Sequence, residues 1–368
     1  MKRELGVSIY PDHSDAQKDR QYLKRAAELG FTRLFMSMLE VSEGKEAVKA
    51  KLQSIIHYAK ELGFEVSLDV SPMIFTQLGI SYQDLGFFAE LGADIVRLDE
   101  SFDSATEAML TYNPYQLNIE LNMSNNVLQL ENMLSYQANR PFIYGCHNFY
   151  PQRNTGLGYD FFIDCSRHYK AQGIKTAAFV SSHVGNLGPW NVNDGLPTLE
   201  MHRDLPIDVQ AKHLFATDLI DVVIIGNAYA SEEELVALSQ VNRYQIELTV
   251  ETVPDISPIE EKIIDYPQHV RRGDINEFAV RSSQPRVIYK DVANPAHDHQ
   301  APFAYGDVVI GNDDFDRYKN ELQIVLTAHE DSRKNKVGQI AKEEQILLPF
   351  IQPWTKFKLI ENTDSDIY

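Results

Sequence analysis

The stretch Ala93-Asp-Ile-Val-Arg-Leu-Asp-Glu100 reads as a buried strand that ends abruptly in two carboxylates. Ile95, Val96 and Leu98 suit a strand covered on both faces, and Asp99 and Glu100 stand where it runs out. Acid groups at the C-terminal end of such a strand point to chemistry. The same order of apolar run, polar tip and helical stretch recurs on either side. Upstream strands are predicted at 6–10, 33–38 and 65–70, and the helical stretches there stop at Gly30, Gly63 and Gly92. Downstream strands are predicted at 116–121, 142–145, 175–180 and 221–225. Eight strand-helix units in about 240 residues predict an α/β chain built on a (β/α)8 TIM barrel. A doubly wound open sheet would more often place a glycine-rich phosphate turn after its first strand, and Ile9-Tyr-Pro-Asp12 is no such turn.

After Val250 the pattern changes. Residues 246–260 are rich in proline and acid groups and read as a linker, which bounds the barrel at 1–245. Short alternating runs at 278–281, 287–289, 306–310, 321–327 and 346–348 then predict a smaller, mainly β domain over 261–368. It is expected to be a closed or sandwiched sheet.

Composition narrows the partners. With 34 Lys plus Arg against 53 Asp plus Glu, the net charge is −19, which repels polyphosphate and anionic membranes and makes nucleic acid an unlikely partner. No run approaches a membrane span, and the N-terminus lacks the hydrophobic region of a signal peptide, so a cytoplasmic protein is expected. The two cysteines, Cys146 and Cys165, are read as reduced core residues.

In a barrel the active site lies on the face formed by the C-terminal ends of the strands. Polar residues predicted there are Ser8, Tyr10, Asp12, Ser37, Glu40, Asp69, Asp99, Glu100, Asn122, Ser124, His147, Asn148 and Asn227. Asp69 and Asp99 end neighbouring strands and would converge on one mouth. Such a pair suits glycoside hydrolysis, in which a leaving oxygen is protonated while an oxocarbenium-like carbon is attacked or stabilised. The same two acids could instead cap the following helices or pair with Arg97. Glu120 either points into the barrel or pairs with a base such as Arg97.

The loop His147-Asn-Phe-Tyr-Pro151 gathers hydrogen-bonding and aromatic groups suited to a sugar. No second His or Cys accompanies His147 at ligand spacing, so no metal is expected there, and hydrolysis by paired carboxylates is expected to need no cofactor. Arg153 and the turn Thr155-Gly-Leu-Gly158 ahead of a helix could hold a phosphate. The next loop, Gly195-Leu-Pro-Thr-Leu-Glu-Met-His-Arg203, offers Glu200, His202 and Arg203. In the second domain Arg271, Arg272, Arg281 and Arg286 form the densest basic group, suited to a phosphate or carboxylate or else to ion pairs on the sheet.

Ser8-Ile-Tyr-Pro11, Asp69-Val-Ser-Pro72, Arg97-Leu-Asp99, Leu121-Asn-Met-Ser124, His147-Asn-Phe-Tyr-Pro151, the Gly195–Arg203 stretch, Arg272-Gly-Asp274 and Arg281-Ser282 together resemble the bacterial 6-phospho-N-acetylmuramidase family. Its members have often been labelled outer surface proteins. The resemblance spans both domains and implies a TIM-barrel glycosidase with a cyclophilin-like C-terminal domain. It implies cytoplasmic cleavage of N-acetylmuramic acid 6-phosphate joined to N-acetylglucosamine, in the recycling of imported cell-wall fragments.

Carried onto this chain, the family's mouth positions fall on Tyr10, Asp69, Asp99, Asn122, His147, Asn148, Tyr150, Glu200 and Arg203. Asp69 and Asp99 are expected to be the catalytic pair with Glu200 in reserve. Ser8, Tyr10, Asn122, Ser124, His147, Asn148, Tyr150, Arg153, Arg203, Asn227, Arg271 and Arg281 are expected to bind substrate. The small domain either completes the pocket or joins two subunits of a homodimer. Rival readings are a phosphosugar isomerase or aldolase on the same barrel, or a binding protein without turnover.

Overall fold

The computed structural model describes residues 1–39, 44–125, 127–297 and 302–361, and it divides into two compact units, Met1–Val241 and Asn242–Tyr368. In the first unit eight parallel strands close into a barrel in chain order. They are β1 (Glu4–Ile9), β2 (Arg33–Ser37), β3 (Glu65–Val70), β4 (Ile95–Leu98), β5 (Asn118–Asn122), β6 (Ile143–Cys146), β7 (Lys175–Val180) and β8 (Val222–Ile225). The predicted TIM barrel is the observed one.

Strand alternation sorts every barrel residue to one of two environments. Leu5 and Val7, Leu34 and Met36, Leu68 and Val70, Val96 and Leu98, Ala178 and Val180, and Val223 and Ile225 join one large apolar core between strands and helices. Phe35, Cys146, Ala177, Phe179, Val222 and Ile224 have the opposite parity and form a separate inner cluster. The stretch 95–98 therefore reads as near-continuous apolar sequence because only Arg97 breaks it, and Arg97 lies on the inner side with Asp99 two residues on.

The barrel interior also holds charge. Arg33 is buried and ion-pairs with Glu120, and its Nη1 reaches Glu65 at 2.7 Å. Ser67 Oγ donates to the other Glu120 oxygen at 3.1 Å. Glu120 thus both points inward and pairs with a base, and that base is Arg33 rather than the expected Arg97, whose guanidinium is engaged by Asp69, Asp99 and Asn148. Lys175 starts β7 at the N-terminal face and is held by Glu4 at 3.0 Å and Glu65 at 3.3 Å. That position, at the end opposite the mouth, does not serve a lysine-dependent isomerase or aldolase.

The second unit is a seven-stranded mixed sheet in the order β10-β15-β9-β14-β12-β13-β11. Its strands are β9 (Ile246–Thr252), β10 (His269–Val270), β11 (Ala279–Ser282), β12 (Asp307–Gly311), β13 (Leu322–Val325), β14 (Lys334–Ile340) and β15 (Lys356–Glu361). The expected linker at 246–260 is corrected here. Ile246–Thr252 is an inner strand that pairs in parallel with β15 and antiparallel with β14, and its Leu248 and Val250 are buried. The proline at 258 opens a helix, Pro258–Ile264, capped by Ser257 and Glu260, so it punctuates structure rather than a spacer. Likewise 287–289 is not a strand: Pro285 starts the short helix Gln284–Ile288. Residues 346–348 fall in the 3-10 segment Lys342–Phe350.

Candidate active site

Asp69 and Arg97 are register partners across β3 and β4. Both are buried, and Arg97 Nη1 donates to Asp69 Oδ1. The same nitrogen donates to Asp99 Oδ1 at 3.2 Å, and Arg97 Nη2 donates to Asn148 Oδ1. One guanidinium therefore joins the ends of β3, β4 and β6. Asp69 is 2% exposed, whereas the Asp99 side chain is 30% exposed. Burial pushes the Asp69 carboxyl up to about 7; the Arg97 charge opposes this rise and the Asp99 charge adds to it. Glu100, of opposite parity, is exposed.

Around this centre the neighbouring residues are locked by their own hydrogen bonds. Asn122 Nδ2 donates to the Asp99 carbonyl at 3.0 Å and its Oδ1 accepts from Ser124 N at 2.9 Å. Ser124 Oγ accepts from Asn148 N at 2.7 Å and lies 3.2 Å from His147 Nδ1. His147 Nε2 lies 2.9 Å from Ser166 Oγ, which itself donates to the Phe162 carbonyl. Ser166 must then accept from Nε2–H, so Nδ1 takes the Ser124 proton and the ring is neutral. Burial holds the His147 pKa down at about 3. His147 is expected from sequence to bind substrate; the fully buried ring instead positions Ser124 and, through it, Asn148. Asn148 and Tyr150 remain half-buried at the mouth.

Several other expected substrate ligands are engaged within the chain. Ser8 Oγ donates to the Ile225 carbonyl at 2.7 Å, and the Tyr10 hydroxyl donates to the Gly226 carbonyl, so both tie β1 to the end of β8. Asn227 is fully buried, with Nδ2 on the Ser182 and Gly185 carbonyls at 2.9 and 2.7 Å. A small cleft beside them is lined by Tyr10, Asp12, His13, Ser37 and Pro189. Asp12 pairs there with Lys51. Glu40 lies outside the described residues.

Glu200 occupies the place expected for a phosphate. Its carboxylate accepts from Asn154 N at 2.9 Å, Gly156 N at 2.8 Å, and Arg203 Nε and Nη2 at 2.8 and 2.7 Å. These donors, Arg203 foremost, hold its pKa down at about 2. The Thr155–Gly158 turn therefore already carries its anion, and a Cβ on Gly156 would meet Glu200 at 2.7 Å. Arg203 also donates to the carbonyls of Tyr150, Gln152, Asp194 and Gly195. The Glu200–Arg203 pair staples the loops after β6 and β7 together. Arg153 forks to Asp204 at 2.7 and 2.8 Å.

In the second unit Arg271 Nη1 donates to the Ile351 carbonyl, Arg272 forks to Asp274, and Arg281 and Arg286 both engage the buried Glu321. Arg272, Arg281 and Arg286 are thus in ion pairs, while Arg271 is bonded to a backbone carbonyl. Among the described residues no three His, Cys, Asp or Glu side chains group as metal ligands, and no helix is long and apolar enough to cross a membrane. Both cysteines are buried and free.

The residue undervalued by sequence reasoning is Arg97, treated as a bland partner although it organises the mouth. Its signal was present: a lone guanidinium within an otherwise apolar strand must find anionic partners.

Residues 5–240 match the family model of the 6-phospho-N-acetylmuramidase N-terminal domain, and residues 246–360 match that of its C-terminal domain. A crystal structure described as an uncharacterized B. cereus protein is 52% identical, with TM-score 0.92, covering 98% of this chain and 100% of that one. A conserved Enterococcus faecalis protein of unknown function is 26% identical with TM-score 0.73, covering 98% and 97%. No curated protein matches.

Proposed function

The chain belongs to the 6-phospho-N-acetylmuramidase family, and on that premise we propose that it hydrolyses the bond between 6-phosphorylated N-acetylmuramic acid and N-acetylglucosamine. The observation that carries this reading is the placement of two carboxylates, one open and one buried, on a single nitrogen of Arg97 at the barrel mouth.

Asp99, the exposed member, is the group positioned to meet substrate. Protonated, it donates to the glycosidic oxygen as the C–O bond breaks and the bonding pair goes to that oxygen; an oxocarbenium-like carbon is left, to which water adds. The proton released by that water restores Asp99. Asp69 is too enclosed to touch the sugar from its present position, and we assign it the orienting role, fixing Arg97 and through it Asp99 and Asn148. A phosphorylated substrate belongs inside the cell, in keeping with a cytoplasmic enzyme of peptidoglycan sugar recycling.

The test is incubation of purified protein with the disaccharide in phosphorylated and plain forms, followed by mass spectrometry. Free N-acetylglucosamine and N-acetylmuramic acid 6-phosphate from the phosphorylated form alone is the expected result. Binding without products would instead favour a sugar-binding protein, and cleavage of the plain form alone would remove the phosphate from the reading.

A further inference from the structure

The loop joining β7 to the helix Ile207–Ala216 carries Trp190, 41% exposed beside the buried Pro189 that lines the mouth cleft. Its ring lies 6.1 Å from Phe149. Phe149 in turn packs edge-on against Phe35 at 5.9 Å and Phe179 at 5.0 Å, which belong to the inner barrel cluster. Phe149 directly follows Asn148, whose side chain accepts from Arg97. A continuous aromatic wall thus rises from the barrel interior to solvent, next in sequence to Asn148, which is bonded to the guanidinium that holds Asp69 and Asp99.

The wall's cause is not core packing alone. Phe149 has the inner cluster beneath it, but Trp190 leaves a large ring surface in water at the rim, where exposing it costs apolar burial. The loop that carries it is firmly anchored: Arg203 donates to the Asp194 and Gly195 carbonyls, and Leu196 N donates to Ser181 Oγ at 2.9 Å. An exposed aromatic on a pinned loop is preorganised for a ligand.

We propose that Trp190 and Phe149 form a stacking platform for the uncharged N-acetylglucosamine ring of the substrate. This rests on the proposed hydrolysis. A pyranose presents C–H groups on its faces, which suit an aromatic surface, while the muramyl ring carries phosphate and carboxylate charges that these rings cannot pair and that the nearby acids repel. The wall is tied to Asp99 through Asn148 and Arg97, the same mouth group that holds the acid. Trp190 is then a specificity residue for the leaving sugar, acting through binding.

The chain has two tryptophans, Trp190 and Trp354, so a Trp354→Phe background leaves Trp190 as the sole indole reporter. In that background, titration with N-acetylglucosamine should change Trp190 emission saturably, and N-acetylmuramic acid 6-phosphate should not. With the disaccharide, Trp190→Ala should raise KM at least tenfold with a smaller change in kcat, and Trp190→Phe should recover most of the loss. No emission change together with an unaltered KM in Trp190→Ala would overturn the platform while leaving the hydrolysis reading intact. A response to the phosphorylated sugar alone would overturn its assignment to the leaving ring. Saturable N-acetylglucosamine binding in a protein that fails to cleave the disaccharide would leave the platform standing and the hydrolysis reading refuted.

Discussion

Asp69 faces Arg97 in register across β3 and β4, and its buried carboxylate accepts from the same nitrogen that serves Asp99. The two acids are thereby coupled but unequal: one is enclosed, the other open at the mouth. Acids in such different surroundings can take different roles, the open one meeting substrate and the enclosed one holding the guanidinium in place.

Asp99→Asn should lower kcat by roughly 10²–10⁴-fold, the usual worth of a positioned general acid. The partly exposed side chain contributes little packing, so the thermal midpoint should stay near that of the wild type. Product release from the phosphorylated disaccharide and a thermal scan read the two effects separately. Wild-type turnover in this variant would remove Asp99 from the chemistry.

The pH dependence of stability follows from Asp69. Burial raises its carboxyl from 3.8 to about 7, so between these values the folded protein holds a proton that the unfolded chain releases. Stability from this group is therefore full at low pH and is lost as pH rises through the window, levelling off above about 7. Urea unfolding of wild type and Asp69→Asn at several pH values should give a difference that declines by roughly 2–4 kcal/mol across it. A flat or rising difference would contradict the burial of the charge.

Glu200 is expected to fail as a reserve acid. Its carboxylate is filled by two amides and a guanidinium that hold its pKa at about 2. Glu200→Gln should lower the thermal midpoint while kcat per folded molecule stays within about tenfold of wild type, well short of the loss of a general acid. Stability contributed by the ionised group is present above its ordinary 4.5 and is lost as pH falls toward 2, the opposite sense to Asp69. A collapse in kcat without a stability change would return Glu200 to the catalytic list.

The barrel was legible because strand alternation and glycine stops are local signals. Gly30, Gly63 and Gly92 all adopt positive φ at the ends of helices, which a glycine does at little cost. Burial of Asp69 and Asp99's greater exposure were not legible, because both residues share the same strand parity and depth is set by neighbouring strands. Glu200 and Arg203 looked like a site because they are charged and in a long loop; the amides that fill Glu200 and the Tyr150 and Gln152 carbonyls on Arg203 come from residues about fifty positions away. In residues 246–252 the period-two pattern is faint for a simpler reason: acids alternate there with Leu248 and Val250, and Pro254 and Pro258 follow closely.

Arg97→Lys tests the whole arrangement. An arginine fork reaches Asp69, Asp99 and Asn148 at once through two nitrogens, whereas a lysine is a point charge on a flexible stem with one nitrogen. Charge is conserved, so Asp69 keeps a cation nearby and the fold should persist, with a loss of roughly 1–3 kcal/mol for the unmatched hydrogen bonds. Orientation is not conserved. If Arg97 positions Asp99 and Asn148 for the sugar, kcat should fall at least a hundredfold, because a displacement of about 1 Å can cost that much. A folded Arg97→Lys protein with near-normal kcat would show that the shared guanidinium is only a buried counter-ion, and the acids would then need another means of alignment.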